Sequence, residues 1–150
     1  MAFRYRSHQI TAIVAAPKVV REGQALKFEP YKIHSLTLAL DIDLKDGALI
    51  NLRFIVTAGQ PDLPESYHAV LLLDDSRIRG IDHQLIPRRR FYRIAIPAGW
   101  HQNIIDPNLS GDDANRHEPL ADFNPTDLDD FLHKVAALWH IELTTEPTLL

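Results

Sequence analysis

Leu36, Leu38, Leu40, Ile42 and Leu44 alternate with Ser35, Thr37, Ala39, Asp41 and Asp43, and beyond Lys45-Asp46-Gly47 the alternation resumes in Ile50, Leu52, Phe54 and Val56. A strand sends successive side chains to opposite faces, so a period of two with one apolar set specifies a half-buried strand. Asp-Gly tolerates the positive φ of a tight reversal, and the pair reads as an antiparallel hairpin with one wet face. Its other face needs an apolar cover. Leu128, Phe131, Leu132, Val135, Leu138 and Trp139 supply one, recurring at intervals of three and four as the apolar stripe of a helix. Asn124 as cap, Pro125 at the first helical position and Asp127, Asp129 and Asp130 near the positive end of the dipole predict where that helix starts. His133 and His140 fall towards its negative end or on its wet face.

Between hairpin and helix, Gly59 to Pro64 interrupts the pattern, and Tyr67–Leu73 restarts it as a mostly buried strand. Arg77–His83 reads as a strand in which Gly80 marks a bulge or a close backbone approach. Phe91–Ile96 is a further short strand, and residues 97–122 read as a long loop. The first thirty residues give one strand, in the apolar stretches Ile10–Ala16 and Lys18–Val20. The expected architecture is α+β: an antiparallel meander sheet of about five or six strands with the C-terminal helix packed on one face, as a single domain over residues 1–150. A chain of this length buries about 70% of its unfolded surface, enough for one real core.

Composition narrows the chemistry. With no cysteine there is no disulfide, thiolate nucleophile or zinc-cysteine site. No apolar run approaches the roughly 18 residues of a membrane span, and Met1 to His8 is too polar to begin a secretory signal, so the expectation is a cytoplasmic protein with no membrane partner. The net charge of −4 is unevenly spread: from Arg77 to Arg93 six arginines face one acid, Asp82, whereas from Glu118 onward seven acids face only Lys134. A basic strip on an acidic protein still attracts phosphates, because the field near it depends on charge within a Debye length of about 8–10 Å. The plain alternative is that the two faces neutralise each other.

Residues Arg77 to Pro119 hold three histidines, seven arginines and four aspartates. Metal-independent RNA cleavage needs a base for the 2′-hydroxyl, an acid for the departing 5′-oxygen and cations for the phosphorane, and these residue types supply them. His83 or His101 is the candidate base, with Asp82 beside His83, and His117 is the candidate acid. Arg79, Arg88, Arg89, Arg90 and Arg116 are candidate phosphate clamps, and Tyr92 and Trp100 candidate base-stacking surfaces. Against this stands the reading of each histidine as a hydrogen-bonded turn or surface residue, and of His8, His34 and His68 as structural or solvent-facing. Asp106, Asp112 and Asp113 with His101 and His117 have the right chemistry for a divalent metal, but no compact ligand spacing, and they read equally well as turn residues. No P-loop, Rossmann glycine pattern, Gly-x-Ser-x-Gly elbow or His-Glu-x-x-His is present, so no cofactor is expected.

The order of the pieces carries a resemblance. A Leu-rich strand, the Asp46-Gly47 hairpin, a Tyr67-led strand, Arg77-Ile-Arg-Gly-Ile-Asp-His83, Arg116-His-Glu-Pro119 and Asp122-Phe-Asn-Pro-Thr-Asp-Leu-Asp-Asp-Phe-Leu132 are similar to the small bacterial toxins of the TumE-like type, over about residues 33–140. That resemblance implies a toxin paired with a cognate antitoxin and acting on RNA, with Asp82, His83 and His117 at the site and Arg79 alongside. The first thirty residues, and residues 87–103 between the two motif regions, depart from the family pattern. A different class of reading is a non-enzymatic binding module, or a phage- or defence-associated component, that docks an acidic partner or nucleic acid through the basic strip.

Overall fold

The computed structural model describes residues 3–90 and 93–144. In chain order the elements are α1 (Ser7–Ala15), β1 (Lys18–Val20), β2 (Glu29–Pro30), β3 (Leu36–Leu44), β4 (Leu52–Ala58), β5 (Tyr67–Leu73), β6 (Ser76–Gln84), β7 (Arg88–Arg90), β8 (Arg93–Ile96), β9 (Gly99–Ile105), β10 (Asn115–Pro119), α2 (Leu128–Leu138) and β11 (Ile141–Glu142). The fold is α+β. Its sheet runs β10-β9-β6-β5-β4-β3-β1-β11, with β2 added beside β3. All neighbours are antiparallel except β1 and β11.

The alternation in β3 and β4 folds as expected, with Leu40 opposite Phe54 and Leu38 opposite Val56. Their buried set continues across the sheet through Tyr67, Ala69, Leu71 and Leu73 of β5 and Ile78 and Ile81 of β6, forming one apolar face. Helix α2 lays Phe131, Leu132, Val135 and Ala136 on that face, followed by Trp139, which is fully buried and meets the Phe54 ring edge-on at 5.8 Å. The Trp139 indole also donates to the Gln102 side-chain oxygen at 2.7 Å, fastening the end of α2 to β9. Burying a side chain of this size stabilises by about 2–3 kcal/mol, so the face is held mainly by such contacts.

Four expectations are corrected. The sheet has nine strands among the described residues rather than five or six. Ser7–Ala15 is a helix, not a strand: Ile10 and Ile13 enter the core three residues apart, and the Gln9 side chain accepts the Arg6 N–H at 2.8 Å. Residues 97–122 are not one loop but hold β9 and the edge strand β10. Helix α2 starts later than Asn124-Pro125 suggests, because the Asp127 carboxylate caps it by accepting from the Asp130 N–H at 2.8 Å.

Both helices end on one buried cation. Lys18 Nζ donates to Val14 O at 2.6 Å, Ala16 O at 2.9 Å and Trp139 O at 2.9 Å, satisfying carbonyls that the last turn of each helix leaves open. Burial, with a smaller contribution from the positive charge of Arg79, brings the Lys18 pKa down from 10.5 to about 8. Among the described residues no helix is long and apolar enough to cross a membrane.

Candidate active site

Residues directly opposite each other in an antiparallel pair project from the same face. Across β6, β9 and β10 one row therefore reads Gly80, Asn103, His117, and the next Asp82, His101, Pro119. Both rows lie on the face without helices. His68 of β5 joins the second row, since its neighbour Ala69 stands opposite Ile81. The glycine lets Asn103 approach closely: a Cβ at position 80 would sit 3.2 Å from the Asn103 amide nitrogen, which would have to give by a few tenths of an ångström. The bulge expected at Gly80 lies nearby instead, where Leu71 and Leu72 face Arg79 and Arg77 and leave Ile78 between them.

The side chains on these rows form two linked pairs. His117 Nδ1 lies 2.5 Å from Asn103 Oδ1. An amide oxygen can only accept, so Nδ1 carries the proton and the Nε2 lone pair of His117 is left available. His101 Nε2 lies 2.5 Å from Asp82 Oδ1, with His101 2% exposed and the Asp82 side chain 47% exposed. The His101 and His117 rings are 5.4 Å apart between centroids and meet edge-on. One histidine is thus buried and held by a carboxylate, and the other is half-exposed and held by an amide.

The electrostatics follow. Burial works to raise the Asp82 pKa, but the His101 contact and the charges of His101, His68 and His117 outweigh it and hold the carboxyl below its usual value. His117 moves down from its ordinary value through burial first, then through the charges of His101 and Arg88, with Asp82 opposing. A neutral imidazole near pH 7 is what a proton acceptor requires. Arg88 comes from the β7–β8 ribbon, which hangs off the main sheet between β6 and β9 and leans against β10.

The other expected site residues scatter. Arg79 and Arg116 flank Ile104 in a row on the helix-covered face, away from the His101–His117 pair, because neighbours in a strand point to opposite sides. His83 is on that face too: its ring meets Trp100 edge-on at 5.2 Å and lines a pocket of about 550 Å³ with Glu65, Phe123 and Asn124. A shared phosphate between His83 and His117 is therefore excluded by the pleat. Trp100 packs against Phe123 and Phe131 beneath α2 rather than presenting a stacking surface beside the histidine pair. Arg89 is exposed on the ribbon, Arg90 is placed in β7 by its backbone, and Tyr92 lies outside the described residues.

Asp106 is a turn residue, accepting from the Asn108 N–H at 2.9 Å. Among the described residues no group of three His, Asp or Glu is placed to hold a metal ion. Asn103 and His68 complete the site and were not among the expected residues. The signal that would have found Asn103 is alternation within Trp100–Ile105, which puts it on the same side as His101. Comparison with protein-family models, curated proteins and solved structures finds no match.

Proposed function

We propose that the open face of the sheet cleaves RNA without a metal, and that the chain acts as a toxin restrained by a cognate antitoxin. The observation that carries the reading is the His101–His117 approach, with each ring held by its own partner, Asp82 or Asn103. In this mechanism His117 Nε2 takes the proton from the 2′-hydroxyl, the O2′–P bond forms and the P–O5′ bond breaks. The 5′-oxygen then receives a proton from the His101–Asp82 pair, in which the carboxylate orients the imidazole and is the exposed partner. Arg88 supplies positive charge beside His117 for the phosphorane oxygens. The roles are thus reversed from those expected of the sequence, since the outward lone pair belongs to His117. Asp82 and Asn103 are positioning residues.

The test is expression in a bacterium. Induction of the unmodified chain should arrest growth with loss of intact RNA, and His117→Ala should relieve both. Undisturbed growth with intact RNA in the presence of the soluble, folded chain would remove the toxin reading. A second reading rests on Arg88 and Arg89, both exposed on the ribbon: the ribbon docks nucleic acid or an acidic partner and the histidines only support it. That reading expects log affinity to fall linearly with log salt and His117→Ala to change nothing.

A further inference from the structure

The proposed mechanism leaves unused the most costly group on the other face of the sheet. Arg79 is 8% exposed, and among the described residues its one hydrogen bond is from Nη1 to its own neighbour, Ile78 O, at 2.7 Å. No carboxylate lies within ion-pair distance of it among the described residues, and the same is true of Arg116. The guanidinium is largely withdrawn from water without a carboxylate beside it, and its remaining donors are free to meet an anion in the adjoining cleft.

Space for that anion is present. Arg79 and Arg116, one strand apart across Ile104, both line a cleft of about 440 Å³ between the sheet and α1. Ser7 and Thr11 of the first turns of α1 border the cleft, their hydroxyls engaged by Asp106 and by Ser7 O respectively. Asp106 and Asp113 line the cleft as well, Asp106 in contact with the Ser7 side chain. Asp106 is already engaged by Asn108. Burial, and next the repulsion of Arg116, lower the Arg79 pKa, with Glu118 and Asp106 opposing.

We propose that this cleft is a binding site for a small phosphomonoester, with the phosphate on Arg79 and Arg116 and the hydroxyls of its organic part towards Asp106 and Asp113. Two guanidiniums match a dianion bidentately, while the two carboxylates discriminate against a longer polyanion such as an RNA strand. The site is separate from the histidine face and does not depend on the chemistry proposed there.

The probes are inorganic phosphate, ribose 5-phosphate and a short oligoribonucleotide without terminal phosphate, each measured against chloride at equal ionic strength. The melting temperature of the unmodified chain should rise by about 5 °C with either phosphate probe at a hundredfold excess over its dissociation constant. The oligonucleotide should give no comparable rise through this cleft, which is read as an equal response in Arg79→Met and the unmodified chain. Arg79→Met should lose the phosphate response while melting no lower than the unmodified chain in chloride, because an apolar side chain of similar length removes a charge that burial disfavours. Arg116→Gln, altered at an exposed position, should weaken phosphate binding at least tenfold whatever the fate of Arg79→Met. His117→Ala should keep the full phosphate response, so this site and the cleavage reading fail separately. No rise beyond chloride, or an undiminished rise in Arg116→Gln, would overturn the proposal.

Discussion

Lys18→Met gives a pH-dependent change in stability whose sign is fixed by the structure. In the unfolded chain this lysine holds its proton up to about 10.5, and in the folded chain it gives it up near 8. Between those values the unfolded state binds more protons, so the folded state gains stability as pH rises. Below about 8 both states are protonated and this gain is absent; above about 10.5 both are neutral and it is complete. A separation of about 2.5 pH units at about 1.4 kcal/mol each corresponds to roughly 3 kcal/mol. The side chain is fully buried, so solvent does not screen this away. At neutral pH two effects oppose in the variant: the desolvation cost disappears, but Val14 O, Ala16 O and Trp139 O lose their donor, at about 1–3 kcal/mol for each one left unsatisfied. The slope with pH is therefore the decisive quantity. Urea unfolding followed by tryptophan fluorescence at pH 7, 8, 9 and 10 should show the unmodified chain gaining on Lys18→Met across that range. Tyr67, whose phenol burial and nearby carboxylates push upward, titrates in both chains and cancels in the difference. A difference that stays flat, or that falls with pH, would refute the reasoning.

Gly80→Ala should press on Asn103, which must yield by a few tenths of an ångström and release His117; we expect RNA cleavage to fall about tenfold with little loss of stability, measured as kcat alongside urea unfolding. The acidic limb of the kcat/KM profile should lie below the ordinary histidine value, because burial and then the charges of His101 and Arg88 lower the His117 pKa. Arg88→Gln should move that limb upward and Asp82→Asn further down. The same depression makes His117 disfavour the folded state as pH falls from the unfolded histidine pKa through the folded one, so stability should decline across that window, and His117→Gln should flatten the decline. Trp139→Phe removes the Gln102 hydrogen bond and part of a fully buried ring, and should cost about 2 kcal/mol, or roughly 4–8 °C in Tm by calorimetry.

The hairpin of β3 and β4 was legible because apolar residues at alternate positions and Asp46-Gly47 agree on one register. Helix α2 was legible from its stripe, although Asn124-Pro125 pointed to a start that is too early and the cap geometry at Asp127 decided. Helix α1 was obscured by Ile, Thr and Val, whose β preference masked the spacing of Ile10 and Ile13. Strand β9 was hidden by its own polar residues. Its residues Trp100-His-Gln-Asn-Ile-Ile105 place polar groups on both faces, Gln102 against Trp139 and His101 and Asn103 in the site, so no apolar period survives. The pairing of His101 with Asp82 depends on β6 and β9 meeting across the intervening ribbon, which no local pattern encodes. The split between Arg116 and His117 follows from strand alternation once β10 is known to be a strand.

The central claim is that His117 and His101 together transfer the protons of RNA cleavage. The direct measurement is digestion of a short RNA by the purified chain in the presence of a chelator, with the 5′ fragment examined for a 2′,3′-cyclic phosphate, beside a substrate with 2′-deoxy at the cleaved position. The account predicts cyclic phosphate ends, no cleavage at the deoxy position, and a loss of about 10²–10⁴-fold in His117→Ala. Cleavage that requires added metal, that proceeds at the deoxy position, or that His117→Ala leaves intact would contradict it.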